Sequence, residues 1–298
     1  MNIVITGTTG FVGQNLSTYL KAEGQIIDAL NLRNNDWTLN DNADAIIHLA
    51  GKAHDTSNSS NAESYFKINR DLTIKLFDQF LDTNIRDFFY FSSVKAIADT
   101  VDGPLHEDHI ADPKTPYGKS KLVAERYLLN KNLPLGKRLF IIRPCMIHGP
   151  GNKGNLNLLY QVVEKGIPWP LASFENQRSF LSIDNLNYLI LKILKNETIP
   201  SGVYQFADDQ NLSTNDLVKI ISNVSGKKEK LWKLNANLIS NLAKIGDVLH
   251  LPLNSERLKK LTESYVVSNN KIKNVLGITN LPVSAVQGLE KTIKSFQK

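Results

Sequence analysis

At 298 residues and 42% hydrophobic content, the chain is long enough for a substantial core with a smaller second lobe, and its composition is neither fibrous nor disordered. The single cysteine, Cys145, excludes an internal disulfide and a thiolate metal cluster; with no basic leader and no apolar run near the ~20 residues a span needs, the expectation is a cytoplasmic protein with no metal and no membrane partner. The net charge of +6 comes from lysines that are densest around Lys227 to Lys233 and Lys259 to Lys273, which reads as solvated helix faces with a mild bias toward anionic substrates rather than as a nucleic-acid module.

Ile3, Val4 and Ile5 form a β-branched apolar run suited to a strand buried on both faces, predicted over residues 2–6. Gly7, Gly10 and Gly13 follow at three-residue spacing, and Phe11, Val12, Leu16, Tyr19 and Leu20 continue at helical period over 11–23. A turn this tight needs positive φ or close backbone approach, which a missing Cβ permits, and it leaves helix N-terminal amides free to face a pyrophosphate. The run from Thr6 to Gly13 resembles the T-G-x-x-G-x-x-G fingerprint of the extended short-chain dehydrogenase/reductase superfamily, the nucleotide-sugar epimerases, dehydratases and 4-keto reductases. The resemblance implies an enzyme in which Gly7, Gly10, Phe11, Val12 and Gly13 hold a dinucleotide.

The next strand is expected over 25–30. At its end, NAD-preferring relatives carry a carboxylate for the ribose hydroxyls. Asn31 occupies the matching position here, with Arg33 just beyond, so NADP is favoured over NAD; Asp28, three residues earlier, keeps the NAD reading open. Asp36 and Trp37 stand where the family has an acidic and an apolar residue around the adenine, or else form a surface acid beside a capping tryptophan. A third strand over 45–49 ends in His48-Leu49-Ala50-Gly51, similar to the family's H-x-A-[AG], in which Ala50 and Gly51 let the backbone approach the dinucleotide. His48 reads as a hydrogen-bonded core histidine. In the helix expected over 63–84, Asn69 matches an asparagine that braces the family's active-site loop.

The aromatic strand over 87–92 ends in Ser92 and Ser93, and Tyr117-Gly118-Lys119-Ser120-Lys121 opens a helix over 116–132. Residues four apart share a helix face, so the Tyr117 phenol and the Lys121 ammonium can meet in one cleft. A cation within ~4 Å at an effective dielectric of ~20 is worth ~4 kcal/mol, enough before desolvation to bring a phenol from its usual pKa of about 10 to near neutrality. Tyr117 is then expected to exchange a proton with a sugar hydroxyl as hydride moves at the same carbon. The trio resembles the family's catalytic Ser/Tyr/Lys set: Ser93 holds the reacting oxygen and Lys121 also holds the nicotinamide ribose.

Strand 139–143 runs into Arg143-Pro144, where the family's R-P leads past the nicotinamide; in the following V-Y-G-P-G, His148 replaces the tyrosine and is given no role. A polar stretch over 150–170, a helix over 183–195, a strand over 203–207 and amphipathic helices from Thr214 complete the chain. The alternation of apolar runs and amphipathic stretches predicts an α/β fold, a doubly wound parallel (Rossmann) sheet. Residues 1–165 form the dinucleotide-binding domain, to which elements near 183–207 return, and 166–298 form mostly a smaller substrate-binding lobe. By resemblance, Asn155, Arg178 and Arg257 touch the nucleotide sugar, the arginines as planar multi-donor cations suited to its diphosphate.

Where a 4,6-dehydratase of this family needs Asp-Glu after the serine, this chain has Val94 and Lys95, which disfavours elimination. Reduction of a 4-keto sugar nucleotide by exchanging NADPH is favoured, with C4 epimerisation of a UDP-hexose as the alternative. A non-catalytic dinucleotide-sensing module is the more distant one. The expected partner is a nucleotide sugar, and pairing of two chains as a homodimer through the long helices fits the family's habit.

Overall fold

The computed structural model describes residues 1–34, 37–52, 62–152, 154–249 and 254–297. Strand β1 (Asn2–Thr6) passes through the glycine turn into α1 (Phe11–Ala22), followed by β2 (Ile26–Leu30) and β3 (Ala45–His48). Helix α2 (Ala62–Phe66) continues through a π-helical turn, Lys67–Asp71, into α3 (Leu72–Leu81). Then come β4 (Asp87–Phe91), a 3₁₀ turn at Val94–Ala96, α4 (Pro116–Leu129), β5 (Arg138–Pro144), β6 (Met146–His148), α5 (Asn155–Glu164), β7 (Phe180–Ser182), α6 (Ile183–Lys195) and β8 (Gly202–Phe206). Among the described residues there follow α7 (Thr214–Val224), α8 (Ala236–Leu249), α9 (Ser255–Thr262), α10 (Asn270–Leu276) and α11 (Ala285–Lys294), with a 3₁₀ turn at Ser295–Gln297.

The main sheet has six parallel strands in the order β2-β1-β3-β4-β5-β8. Successive side chains on a strand point to opposite faces. Ile3 and Ile5 therefore pack with Leu16 and Leu20 of α1 and Leu189 and Ile193 of α6, while Val4 packs with Phe77 and Phe80 of α3 and Leu128 of α4. Both faces are covered, as the unbroken apolar runs in β3, β4 and β5 require. The strand order reverses between β1 and β3, and ligands of open α/β sheets bind in the crevice at the carboxyl ends beside such a switch point.

A second core gathers Leu156 and Tyr160 of α5, Leu217 and Ile221 of α7, and Leu289 and Ile293 of α11. Ile272 of α10 packs instead with the core of the main sheet. Three features differ from the expected elements. The parallel pair β6–β7 is three residues long per strand, too short for a period to be read. Helix α5 lies inside the stretch read as irregular; its buried Leu156, Tyr160 and Val163 have helical spacing amid Gly, Asn and Pro. The helix expected over 63–84 is interrupted by the π turn, which carries Asn69 to full burial.

Candidate active site

The glycine turn is held by its own backbone. Gly7 has φ 71°, and a Cβ there would lie 2.8 Å from the Ala50 amide nitrogen; a Cβ on Gly13 would lie 2.2 Å from the Gly7 carbonyl oxygen. The Gly10 amide donates to the Gly7 carbonyl at 3.0 Å, and Gly10, at the N-cap of α1, has no side chain to cap the helix. The strand ends thus meet the start of α1 at backbone distance, a cradle that side chains would fill and a pyrophosphate fits.

Below the cradle runs a buried hydrogen-bond chain. The Thr73 hydroxyl donates to the Asn69 carbonyl at 2.8 Å, so it accepts from His48 Nε2 at 2.9 Å; His48 Nδ1 then accepts from the Thr6 hydroxyl at 2.7 Å, and that oxygen accepts the Ala50 amide at 3.0 Å. His48 is the structural histidine the sequence suggested. Burial, with Lys121 nearby, lowers its pKa to about 3. Folded His48 therefore stays neutral as pH falls through ~6.5, where the unfolded chain takes up a proton, so stability is lost from about pH 6.5 toward 3 at about 1.4 kcal/mol per unit. Urea midpoints measured across that range should show this slope, and His48→Gln should flatten it.

Beside the cradle, a cavity of about 270 Å³ is lined by Phe11, Val12, Gly51, Ser93, Tyr117, Lys121 and Pro144, all expected at the site. The N-terminus of α4 sets its geometry. Thr115 caps the helix by accepting the Gly118 amide at 3.2 Å, and Pro116 stands in the first turn. A Cβ on Gly118 would lie 2.3 Å from the Lys95 carbonyl oxygen, so α4 packs directly on the 3₁₀ turn that follows Ser93. That contact brings Ser93 and Tyr117 onto the same cavity wall.

The expected electrostatics of Tyr117 are corrected by the structure. Burial raises its pKa, the Ser93 hydroxyl beside it opposes that, and Tyr65 adds to the rise. The Lys121 ammonium donates to the Phe91 carbonyl at 2.7 Å and lies 4.9 Å from the centre of the Tyr90 ring. Burial lowers its own pKa to about 8, with Glu125 opposing. The phenol is thus protonated at neutral pH in the protein without ligands.

Asn69 braces the loop after β3. Its Oδ1 accepts the Lys52 amide at 2.7 Å, and its Nδ2 donates to the Lys52 carbonyl at 3.1 Å and to Ser120 Oγ at 3.0 Å. A Cβ on Gly51 would stand 3.0 Å from Asn69 Oδ1 and 3.2 Å from Lys121 Nζ, so it would crowd both side chains. The wall also includes Lys52, Ser92 and Cys145, which the sequence did not single out. Tyr65 stands edge-on to the Tyr117 ring at 6.4 Å and is likewise new; the aromatic Tyr65-Phe66 just before Asn69 was its signal.

The remaining expected residues are spread more widely. Asn31 Oδ1 accepts the Arg33 amide at 3.0 Å, forming a turn that exposes both residues past the end of β2. Trp37 is buried in the core beneath β1, with the Lys75 ammonium 5.0 Å from its ring centre, and Asp36 lies outside the described residues. Asn155 is exposed in the first turn of α5, and Arg257 is exposed in the first turn of α9. Arg178 is half-buried, its backbone paired with Leu212, and its Nη1 donates to the Lys260 carbonyl of α9 at 3.0 Å. Burial lowers the pKa of Arg178, with Glu263 opposing. Lys95 lies 3.9 Å from the centre of the Tyr265 ring and donates to the Asp99 carbonyl at 2.8 Å; burial lowers its pKa, and Arg178 and Lys260 lower it further. Lys95, Arg178 and Lys260 lie near one another, with Asp99 and Glu263 among them.

Residues 3–206 match the family model described as the NAD dependent epimerase/dehydratase family. The chain is 28% identical to a UDP-glucose 4-epimerase of Vibrio cholerae, an alignment covering 99% of this chain and 95% of that protein. It is 24% identical to a GDP-6-deoxy-D-mannose reductase of Pseudomonas aeruginosa, over 75% of this chain and 80% of the relative. The solved UDP-N-acetylglucosamine 4-epimerase from Bacillus cereus superimposes with a TM-score of 0.77 at 21% identity, covering all of both chains, a likeness of fold.

Proposed function

The chain belongs to the NAD dependent epimerase/dehydratase family, and from that premise we propose that it catalyses NAD(P)-dependent oxidoreduction at C4 of a nucleotide-activated hexose. The observation that carries the proposal is one cavity whose wall brings together Ser93, Tyr117, Lys121 and the residues just after the glycine turn. The cradle around Gly7 and Gly13 fits the pyrophosphate of the dinucleotide, and bound there the nicotinamide would supply or accept the hydride.

Tyr117 acts at its phenol oxygen, giving a proton to the sugar C4 oxygen in reduction and taking it back in oxidation. Its raised pKa in the free protein suits the donor role, since the phenol holds its proton at neutral pH. Ser93 grips the same sugar oxygen and keeps the phenol aligned. Lys121, anchored on the Phe91 carbonyl, retains ammonium hydrogens for the ribose and places positive charge in the cavity wall. Asn69 positions the loop that carries Gly51. Arg178 and the cations around it attract the substrate diphosphate.

Val94 and Lys95 supply no acid–base pair for elimination. We read the net reaction as reduction of a 4-keto sugar nucleotide by NADPH, on the neutral amide of Asn31 and the cation of Arg33 exposed past β2, which tolerate or bind a 2′-phosphate. A second reading, C4 epimerisation with a retained cofactor, is favoured by the nearly full-length similarity to the Vibrio cholerae 4-epimerase. Incubation with UDP-4-keto-6-deoxy-N-acetylglucosamine and either NADH or NADPH, and with UDP-glucose or UDP-N-acetylglucosamine alone, separates them. Consumption of added NADPH supports reduction, interconversion without added cofactor supports epimerisation, and silence throughout overturns both.

A further inference from the structure

Helix α8 carries more apolar surface than the protein covers. Projected down its axis, Leu238, Leu242, Ile245 and Leu249 fall on one line and Ile239, Ala243 and Gly246 on the adjoining one, with Asn237, Ser240, Lys244 and Asp247 opposite. The line of Ile239, Ala243 and Gly246 is buried, with Ile239 and Ala243 in the core of the lobe. Leu238, Leu242, Ile245 and Leu249 are 49–62% exposed, and Val248 is 75% exposed. Trp232 and Leu234, just before the helix, are exposed as well.

The charge of the surroundings says what covers this face. Residues 227–262 contain eight Lys/Arg against three Asp/Glu; Lys227 and Lys259 pair with Glu164 and Glu263 outside the stretch, which leaves it a net +3. A second copy of the chain seated face to face would bring like charge against like. An anionic bilayer supplies both an apolar layer and the opposite charge. No described helix is long and apolar enough to cross a membrane, and a 14-residue helix of about 21 Å suits lying in the interface plane.

We propose that α8 docks the protein on the surface of an anionic lipid bilayer. Leu238, Leu242, Ile245 and Leu249 enter the boundary between headgroups and acyl chains, Trp232 sits at headgroup level, and Lys228 and Lys233 meet lipid phosphates. The expectation of no membrane partner rested on the lack of a span, and surface docking needs none. Helix α9 packs on α8, and its Lys260 carbonyl accepts from Arg178, so docking holds Arg178 one helix away from the lipid.

Co-sedimentation of the whole chain with vesicles tests this. The protein should pellet with equimolar phosphatidylcholine and phosphatidylglycerol, less with phosphatidylcholine alone, and less as salt is raised. The double substitution Leu242→Gln, Ile245→Gln should weaken apparent vesicle affinity by at least about tenfold, with elution volume unchanged and thermal unfolding still cooperative, because each side chain is about half exposed. Lys228→Glu with Lys233→Glu should remove the preference for anionic vesicles. Failure to pellet with either vesicle, pelleting unaffected by the Leu242/Ile245 variant, or a dimer of the wild type that this variant dissolves would each overturn the proposal.

Discussion

Tyr117→Phe is expected to lower kcat by about 10² to 10⁴-fold, the usual worth of a positioned proton donor, with little change in the affinity for nucleotide sugar. The substitution removes one oxygen and leaves the ring, so its edge contact with Tyr65 and the packing of α4 on the 3₁₀ turn persist. What is lost is the phenol proton on the wall that Tyr117 shares with Ser93 and Lys121. Steady-state kinetics together with isothermal titration of the nucleotide sugar distinguish this from misfolding. Equal loss of kcat and of binding would point to a structural role instead.

Glu125→Ala is expected to destabilise the protein by about 3–5 kcal/mol, because it leaves a buried guanidinium without its counter-charge. The Arg143 fork meets Glu125 through Nε at 3.0 Å to Oε1 and Nη2 at 2.6 Å to Oε2, with side chains 6% and 1% exposed. Arg143 keeps one bond, from Nη1 to the Glu107 carbonyl at 3.1 Å, which satisfies a donor and not the charge. Glu125 also supports the Lys121 ammonium one turn away, so its loss should push the Lys121 pKa below the present value of about 8. In the wild type the unfolded lysine keeps its proton up to ~10.4 while the folded one releases it at about 8, so stability of the ligand-free protein should rise with pH across that interval. Urea unfolding of both proteins at neutral and alkaline pH checks both statements. A loss under about 1 kcal/mol at neutral pH would contradict the buried-pair account.

Much of this site was legible because its parts are local. The glycines from Gly7 to Gly13 announce a backbone contact, and the structure supplies its partner in Ala50 and its distance. The four-residue spacing of Tyr117 and Lys121 announces a shared helix face, and both do line the cavity. Spacing says nothing about where a flexible side chain ends, which is why the Phe91 carbonyl as the acceptor for Lys121 was not foreseen, and why the phenol's pKa moves up and not down. Trp37 reads as an adenine neighbour from its place after β2; the structure adds that it is buried in the cluster with Leu32 and Val4, which spacing alone does not state. The π turn at Asn69 and the short pair β6–β7 depend on tertiary contacts that no period records.

Following the transferred hydrogen itself tests the account most directly. Protein given nicotinamide cofactor deuterated at its reactive C4 position, together with a 4-keto nucleotide sugar, should yield a hexose carrying deuterium at C4 by NMR, and Tyr117→Phe should yield almost none while still binding both ligands. A reduced product whose C4 hydrogen comes from solvent, or equal labelling by the variant, would contradict it.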